Sequence, residues 1–183
     1  NNSARDMDAI RQALAAEQVS YFGFSYGSEL GGVWATLFPT TVRAAVFDGA
    51  TDPNSDPLRS TLQQGAGFEA ALTNFLAQCS ADSQCPFHNG GDAEGAFDRL
   101  MASLDDAPLP SAGDRVAVNR SVAVLAVAQA MYTENYWPAL ERALEDAAAG
   151  DGGGLLQLHD AYYGRSADGT YGNLIEAFQP INC

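Results

Sequence analysis

The pentapeptide Gly23-Phe24-Ser25-Tyr26-Gly27 constrains this chain more than any other segment. It stands between Val19-Ser20-Tyr21-Phe22, which is short, aromatic and β-prone, and a run in which Leu30, Val33, Trp34 and Leu37 recur at helical spacing. Strand, sharp turn with a serine, then helix is the setting in which G-x-S-x-G forms a nucleophile elbow. The glycines Gly23 and Gly27 answer a steric demand. So tight a turn leaves no room for side chains at neighbouring positions, and the serine is held in strained backbone geometry. Such a turn lifts the Ser25 hydroxyl clear of the sheet, and the helix N-terminus beneath it favours developing negative charge. A chain with 18 glycines can also produce the pattern at a plain strand-to-helix turn whose serine only caps the helix.

The flanks favour the elbow. Gly27, Gly31 and Ala35 fall at i, i+4 and i+8, which leaves one helix face nearly bare and able to lie close against a sheet. After the helix, Arg43-Ala44-Ala45-Val46-Phe47 reads as a second buried strand. Strand, helix and strand in this order predict a βαβ unit with parallel strands.

The run Gly23-Phe24-Ser25-Tyr26-Gly27-Ser28-Glu29-Leu30-Gly31, then Phe38-Pro39, then Val46-Phe47-Asp48-Gly49-Ala50-Thr51-Asp52-Pro53, resembles the tripeptidyl aminopeptidases secreted by actinobacteria. These belong with the proline iminopeptidase-like serine peptidases of the α/β-hydrolase fold. Met131-Tyr132, Tyr136-Trp137-Pro138-Ala139-Leu140, Ala143-Leu144 and Ala149-Gly150-Asp151 resemble the helical cap of that family. The resemblance runs through nearly the whole chain. It implies that Ser25 is the nucleophile and that the backbone N–H of Tyr26 contributes to an oxyanion hole. It implies cleavage of short peptides from a free N-terminus, with ester or amide hydrolysis as a side activity. It also implies a chain longer than 183 residues, with early strands before Asn1 and the acid and histidine of the site on strands after Cys183. The expected architecture is therefore α/β: a partial α/β-hydrolase core with one βαβ elbow unit over residues 1–52, and a mainly helical cap over 53–183.

Within the chain, the histidines are His88 and His159. A serine nucleophile needs a base in hydrogen-bond reach and an acid to orient it. Ser25, Asp48 and His159 copy the chain order serine, acid, histidine. Both histidines, however, fall in cap-like sequence, whereas the resemblance puts the base after the last core strand. Asp48 ends the second strand on the side of the elbow. It can shape a pocket edge there, or simply cap the turn that follows.

A net charge of −14 argues against nucleic acid as a partner, because phosphates would be repelled. All nine basic residues are arginine. No apolar run approaches the ~18 residues that read as a membrane span. Two cysteines and a distant histidine do not make a tetrahedral metal site, and no cofactor is called for. Cys79 closes a helical run and Cys85 precedes a proline. Their closeness predicts a local disulfide and an oxidising, extracellular compartment, the alternative being two free thiols. Cys183 is left over, its partner expected beyond the chain.

Past Pro53 and Pro57 the periodicity is helical. Stripes run through Phe68, Leu72, Phe75 and Leu76; Phe97, Leu100, Met101 and Leu104; Val124, Leu125, Ala128, Met131 and Tyr132; Trp137, Leu140 and Leu144; and Leu155, Leu158 and Tyr162. They read as helix–helix core, with Tyr132, Tyr136 and Trp137 available to line a cleft. Asn119-Arg120-Ser121 matches a glycosylation acceptor pattern. A peptide is the expected substrate. A small ester or acyl donor, and a non-catalytic module that inherited the elbow, are the rival readings.

Overall fold

The computed structural model describes residues 2–50, 52, 54, 56–111, 115–173 and 175–178. Cys183, together with Thr51 and Pro53 of the family-like run, lies outside the described residues. The chain divides into two compact units, Asn1–Leu62 and Gln63–Cys183. The division falls inside a long helix, downstream of the proline-rich segment expected to separate core from cap.

The first unit is a βαβ arrangement preceded by a helix. Helix α1 spans Asn2–Ala13, strand β1 Val19–Phe24, helix α2 Tyr26–Leu37 and strand β2 Val42–Asp48. The strands pair in parallel, with Tyr21 opposite Ala45, Phe22 opposite Val46 and Gly23 opposite Phe47. Tyr21 and Gly23 face α2, and the bare stripe of that helix lets it approach. A Cβ on Gly31 would lie 2.6 Å from Tyr21 Cδ1 and 2.7 Å from Phe47 Cε1, so only glycine fits. Trp34, one turn on, is 1% exposed and packs 6.0 Å from the Tyr21 ring. Helix α1 seals its side of α2 with Ala4 and Asp8. Asp8 is buried because it is paired: Arg11 Nε donates to it at 2.7 Å and Gln12 Nε2 at 2.6 Å. Arg11, and secondarily Gln12, hold the Asp8 carboxyl below its usual value against the opposing effect of burial.

The second strand is not the buried element expected. Every residue from Arg43 to Asp48 is exposed. In the described residues β2 pairs only with β1, and the sheet face opposite α2 is uncovered. Phe22, Phe24 and Val46 on that face are 58%, 62% and 50% exposed. The Phe22 and Phe24 rings meet edge to face at 4.7 Å.

The second unit is helical, as its stripes predict, but one stripe marks the wrong face: Val124 and Tyr132 are 50% and 60% exposed, and Ala123, Ala126, Val127 and Ala130 are the residues buried there. Helix α3 spans Pro57–Ala81, α4 Ala93–Asp106, α5 Arg120–Met131, α6 Trp137–Ala148 and α7 Gly153–Tyr162. Helix α7 packs most extensively on α5 and next on α6. Phe75, Phe87, Leu104, Leu140, Leu144 and Leu155 fill the centre, each at most 1% exposed. Burying such a side chain contributes roughly 1.5–3 kcal/mol. Trp137 joins this core, edge to face with Phe75 at 5.5 Å, and Tyr136 packs beside it; Tyr132 stays 60% exposed, against Phe68.

Caps set the ends of these helices. Asp92 accepts from Gly95 N–H at the start of α4, and Asn119 accepts from Val122 N–H at the start of α5. The asparagine of the acceptor pattern is thus a helix cap. Gly150, at φ 99°, follows α6 in the left-handed conformation that favours glycine. Leu109 and Val118 exchange two main-chain hydrogen bonds in an antiparallel bridge that no periodicity announced. Arg115 grips Asp160 with both terminal nitrogens. Cys79, near the end of α3, is bonded to Cys85, with Cα atoms 5.3 Å apart.

Candidate active site

The elbow is built by β1, α2 and the end of β2. Ser25 sits between strand and helix at φ 48°, ψ −121°, a conformation that L-residues rarely adopt. Strain of this kind costs about 1–3 kcal/mol and persists only where the surroundings over-determine it. Here they do. The Ser25 N–H donates to the Asp48 carbonyl at 2.8 Å. The Ser25 carbonyl accepts from the Ser28 N–H at 2.8 Å and from Ser28 Oγ at 2.6 Å. Both main-chain polar groups of the serine are therefore fixed.

The side chain is left available. Ser25 occupies the N-cap position of α2 but makes no capping hydrogen bond, and the residue is exposed. The plain capping role that the sequence also allowed is not the one it plays. Tyr26 opens the helix, so its N–H belongs to the first turn, whose donors lack acceptors within the helix. An oxygen anion formed at Ser25 would meet that N–H and the positive end of the helix dipole.

The elbow glycines are unequal. A Cβ on Gly23 would stand 2.6 Å from the Gly27 carbonyl carbon and 2.6 Å from Tyr21 Cε1, which no side chain tolerates. A Cβ on Gly27 would stand 3.6 Å from Tyr21 Oη, an ordinary contact. The steric argument for glycine at both positions thus holds for Gly23 alone among the described neighbours. Gly49, at φ 64°, continues the chain directly after β2, and a Cβ there would lie 3.7 Å from Ser25 N.

Asp48 reaches the elbow through its backbone. Its side chain is exposed and makes no hydrogen bond among the described residues. Tyr21, read from the sequence only as β-prone, proves central: its hydroxyl donates to the Gly27 carbonyl at 2.6 Å, and burial raises its pKa. The signal that could have found it is the tyrosine four residues before the serine, at the strand position that faces the helix.

Both histidines belong to the second unit. His88 Nδ1 lies 3.1 Å from the Cys79 carbonyl. The His159 ring lies tilted against Tyr163, centroids 4.9 Å apart, and its Nδ1 is buried with no hydrogen-bond partner among the described residues. Burial lowers the His159 pKa; neighbouring Asp160 raises it and Arg115 lowers it. No group of three or more His, Cys, Asp or Glu side chains suited to a metal ion occurs among the described residues. No helix among them is long and apolar enough to cross a membrane.

Residues 2–89 match the alpha/beta hydrolase fold family. The whole chain is similar to the serine protease Hip1 of Mycobacterium tuberculosis, 36% identical over 191 residues and covering 36% of that protein. It is 38% identical over 185 residues to carboxylesterase B of the same species, spanning 98% of this chain and 35% of that protein. The tripeptidyl aminopeptidase of Streptomyces lividans is 34% identical over 113 residues, which cover 59% of this chain and 21% of that protein. The chain thus spans about a third of the length of the mycobacterial relatives it matches.

Proposed function

The chain belongs to the alpha/beta hydrolase fold family, and from that premise we propose that it carries the nucleophile of a secreted serine exopeptidase, which releases short peptides from free N-termini through an acyl-enzyme on Ser25. One observation carries the reading: a serine at φ 48° between a parallel strand and a helix, with no capping bond. A base takes the Ser25 Oγ proton as the oxygen attacks the scissile carbonyl. The carbonyl oxygen becomes an anion held by the Tyr26 N–H. The amine leaves with the proton, and water releases the acyl group by the same steps in reverse. The peptide substrate is supported by the names of two relatives, a serine protease and a tripeptidyl aminopeptidase. The helical unit serves as the cap that selects substrates by size. The disulfide supports an extracellular setting.

A second reading, ester hydrolysis on the same serine, is favoured by the similarity to carboxylesterase B. Residues 1–183 by themselves should be inactive, because His88 and His159 both fall in cap-like sequence, whereas the resemblance puts the base after the last core strand. Loss of a triad member costs on the order of 10⁴–10⁶-fold in rate.

The test is a fluorophosphonate probe on the complete natural protein beside its Ser25→Ala variant, followed by tripeptidyl amides, aminoacyl amides and short acyl esters. Labelling that survives Ser25→Ala removes the nucleophile assignment. Turnover of esters alone replaces the peptidase reading with the second one.

A further inference from the structure

We infer that Tyr21 is a positioning residue for the reaction at Ser25: through its hydroxyl it fixes the first turn of α2 and thereby the direction of the Tyr26 N–H. The inference rests on the reading of Ser25 as nucleophile and deepens it.

The Tyr21 ring has little freedom. It lies on the face of β1 turned to α2, and a Cβ added to either Gly23 or Gly31 would collide with it. Trp34 and Phe47 flank it, with ring centroids 6.0 and 6.2 Å away. So held, the ring sends its hydroxyl to the Gly27 carbonyl at 2.6 Å. The bond spans the elbow, from the strand before Ser25 to the helix after it.

What this bond controls follows from peptide planarity. The Gly27 carbonyl and the Ser28 N–H belong to one rigid peptide unit. That N–H donates to the Ser25 carbonyl at 2.8 Å. The Ser25 carbonyl and the Tyr26 N–H belong to another such unit. The line therefore runs from the Tyr21 hydroxyl through the Gly27–Ser28 peptide to the Ser25–Tyr26 peptide, and ends at the N–H that would meet the oxyanion. Each donor polarises the next, because chained hydrogen bonds strengthen one another. Each also fixes the plane of the next, and a reacting group misplaced by 1 Å can cost about 10²-fold in rate. Ser28 Oγ, at 2.6 Å, reinforces the middle link, and the Asp48 carbonyl holds Ser25 from the opposite side.

Removing only the Tyr21 hydroxyl leaves the ring packing in place and takes from the Gly27 carbonyl the donor that ties it to β1, leaving it only its partner within α2. The oxyanion donor is then loosened, not deleted. Deleting one costs roughly 10²–10³-fold, so a loss of about tenfold is expected.

The experiment compares the complete natural protein with its Tyr21→Phe variant, a variant carrying p-aminophenylalanine at position 21, and Ser25→Ala. It measures the rate of inactivation by a fluorophosphonate, kcat and KM with p-nitrophenyl acetate, and the melting temperature. Tyr21→Phe should react about tenfold more slowly with the fluorophosphonate. Its kcat should fall by a similar factor, with KM within about twofold of wild type. The amino group restores a donor in nearly the same place and should recover most of the rate.

Rates within twofold of wild type in Tyr21→Phe overturn the inference. So does a loss that the amino group does not reverse although it restores the melting temperature, because Tyr21 is then only structural. If Tyr21→Phe does not fold, the amino variant decides alone: near-wild-type kcat supports the inference, and a folded, slow enzyme overturns it. A wild-type protein that the probe does not label removes the nucleophile reading and this one with it; labelling lost only in Ser25→Ala preserves the former and leaves Tyr21 to be judged by its own rates.

Discussion

The Ser25 N–H donates to the Asp48 carbonyl across 2.8 Å, tying the last residue of β2 to the elbow that ends β1. The position of the serine thus depends on how β2 finishes. Gly49 finishes it at φ 64°, and a Cβ there would lie 3.7 Å from Ser25 N, in ordinary contact. The cost of a side chain at this position is therefore conformational. Gly49→Ala should destabilise the protein by about 1–2 kcal/mol, the penalty of the left-handed region. It should also lower kcat, because the acceptor of the Ser25 N–H shifts. Melting and kinetics of the variant check both; unchanged kcat would detach the Asp48 link from catalysis.

Gly23 and Gly27 should respond differently to alanine. At position 23 the new methyl meets the Gly27 carbonyl and the Tyr21 ring, neither of which can retreat without moving the elbow. Overpacking of this kind costs about 1–3 kcal/mol, sometimes more. Gly23→Ala should abolish fluorophosphonate labelling or prevent folding of the first unit. Gly27→Ala should fold and label, because its methyl stands 3.6 Å from Tyr21 Oη. Alanine is also the better helix former, by about 1 kcal/mol. Equal damage at both sites would mean that Gly27 faces a neighbour not seen among the described residues.

The same residues show what a sequence discloses. The elbow was legible because its demands fall on residue type: a small residue where the backbone closes in, a serine at the turn, apolar residues at helical spacing after it. The helices of the second unit were legible because Leu100 and Leu104, or Leu140 and Leu144, mark a buried face by spacing alone. The role of Tyr21 was not legible, because a β-prone aromatic gives no sign of where its hydroxyl will reach. The exposure of β2 was hidden for a related reason. Val46 and Phe47 announce a strand made to be covered, and their spacing cannot say what covers it. The Leu109–Val118 bridge is one residue pair long, too short for any pattern to form.

His159 gives the stability of the helical unit a pH dependence. Burial holds its pKa below the ordinary 6.5, with Asp160 opposing and Arg115 assisting. As pH falls through 6.5 the unfolded chain takes up the proton first, so the folded state loses ground. The contribution is fully present above that pH and declines below it, down to the folded value. Asp8 acts in a separate window. Its carboxyl is held below 3.8, so its contribution is present above that pH and lost in stronger acid. Melting at pH 7.5 and 5.5 should therefore show a larger drop for wild type than for His159→Phe, which cannot take the proton. Parallel drops in the two proteins would assign the effect to other groups.

The Cys79–Cys85 bond should matter more for the loop it closes than for the unit as a whole. Cys79 is 3% exposed near the end of α3, and Cys85 is 6% exposed in the turn leading to Phe87, which is 1% exposed in the core. A sequence separation of 6 makes the closed loop short, so the entropy removed from the unfolded chain is worth about 2 kcal/mol. Phe87 anchors the same loop from its other end. Replacing it by alanine in a packed core costs more, about 3–5 kcal/mol. The Cys79→Ala, Cys85→Ala double variant should therefore fold, and should melt about 5–10 °C lower. Residues Ala81 to Gln84, exposed between the cysteines, should become the first site of limited proteolysis. Phe87→Ala should melt lower still with the disulfide intact. The reverse order would mean that the bond, and not the buried ring, holds this loop to the helical core.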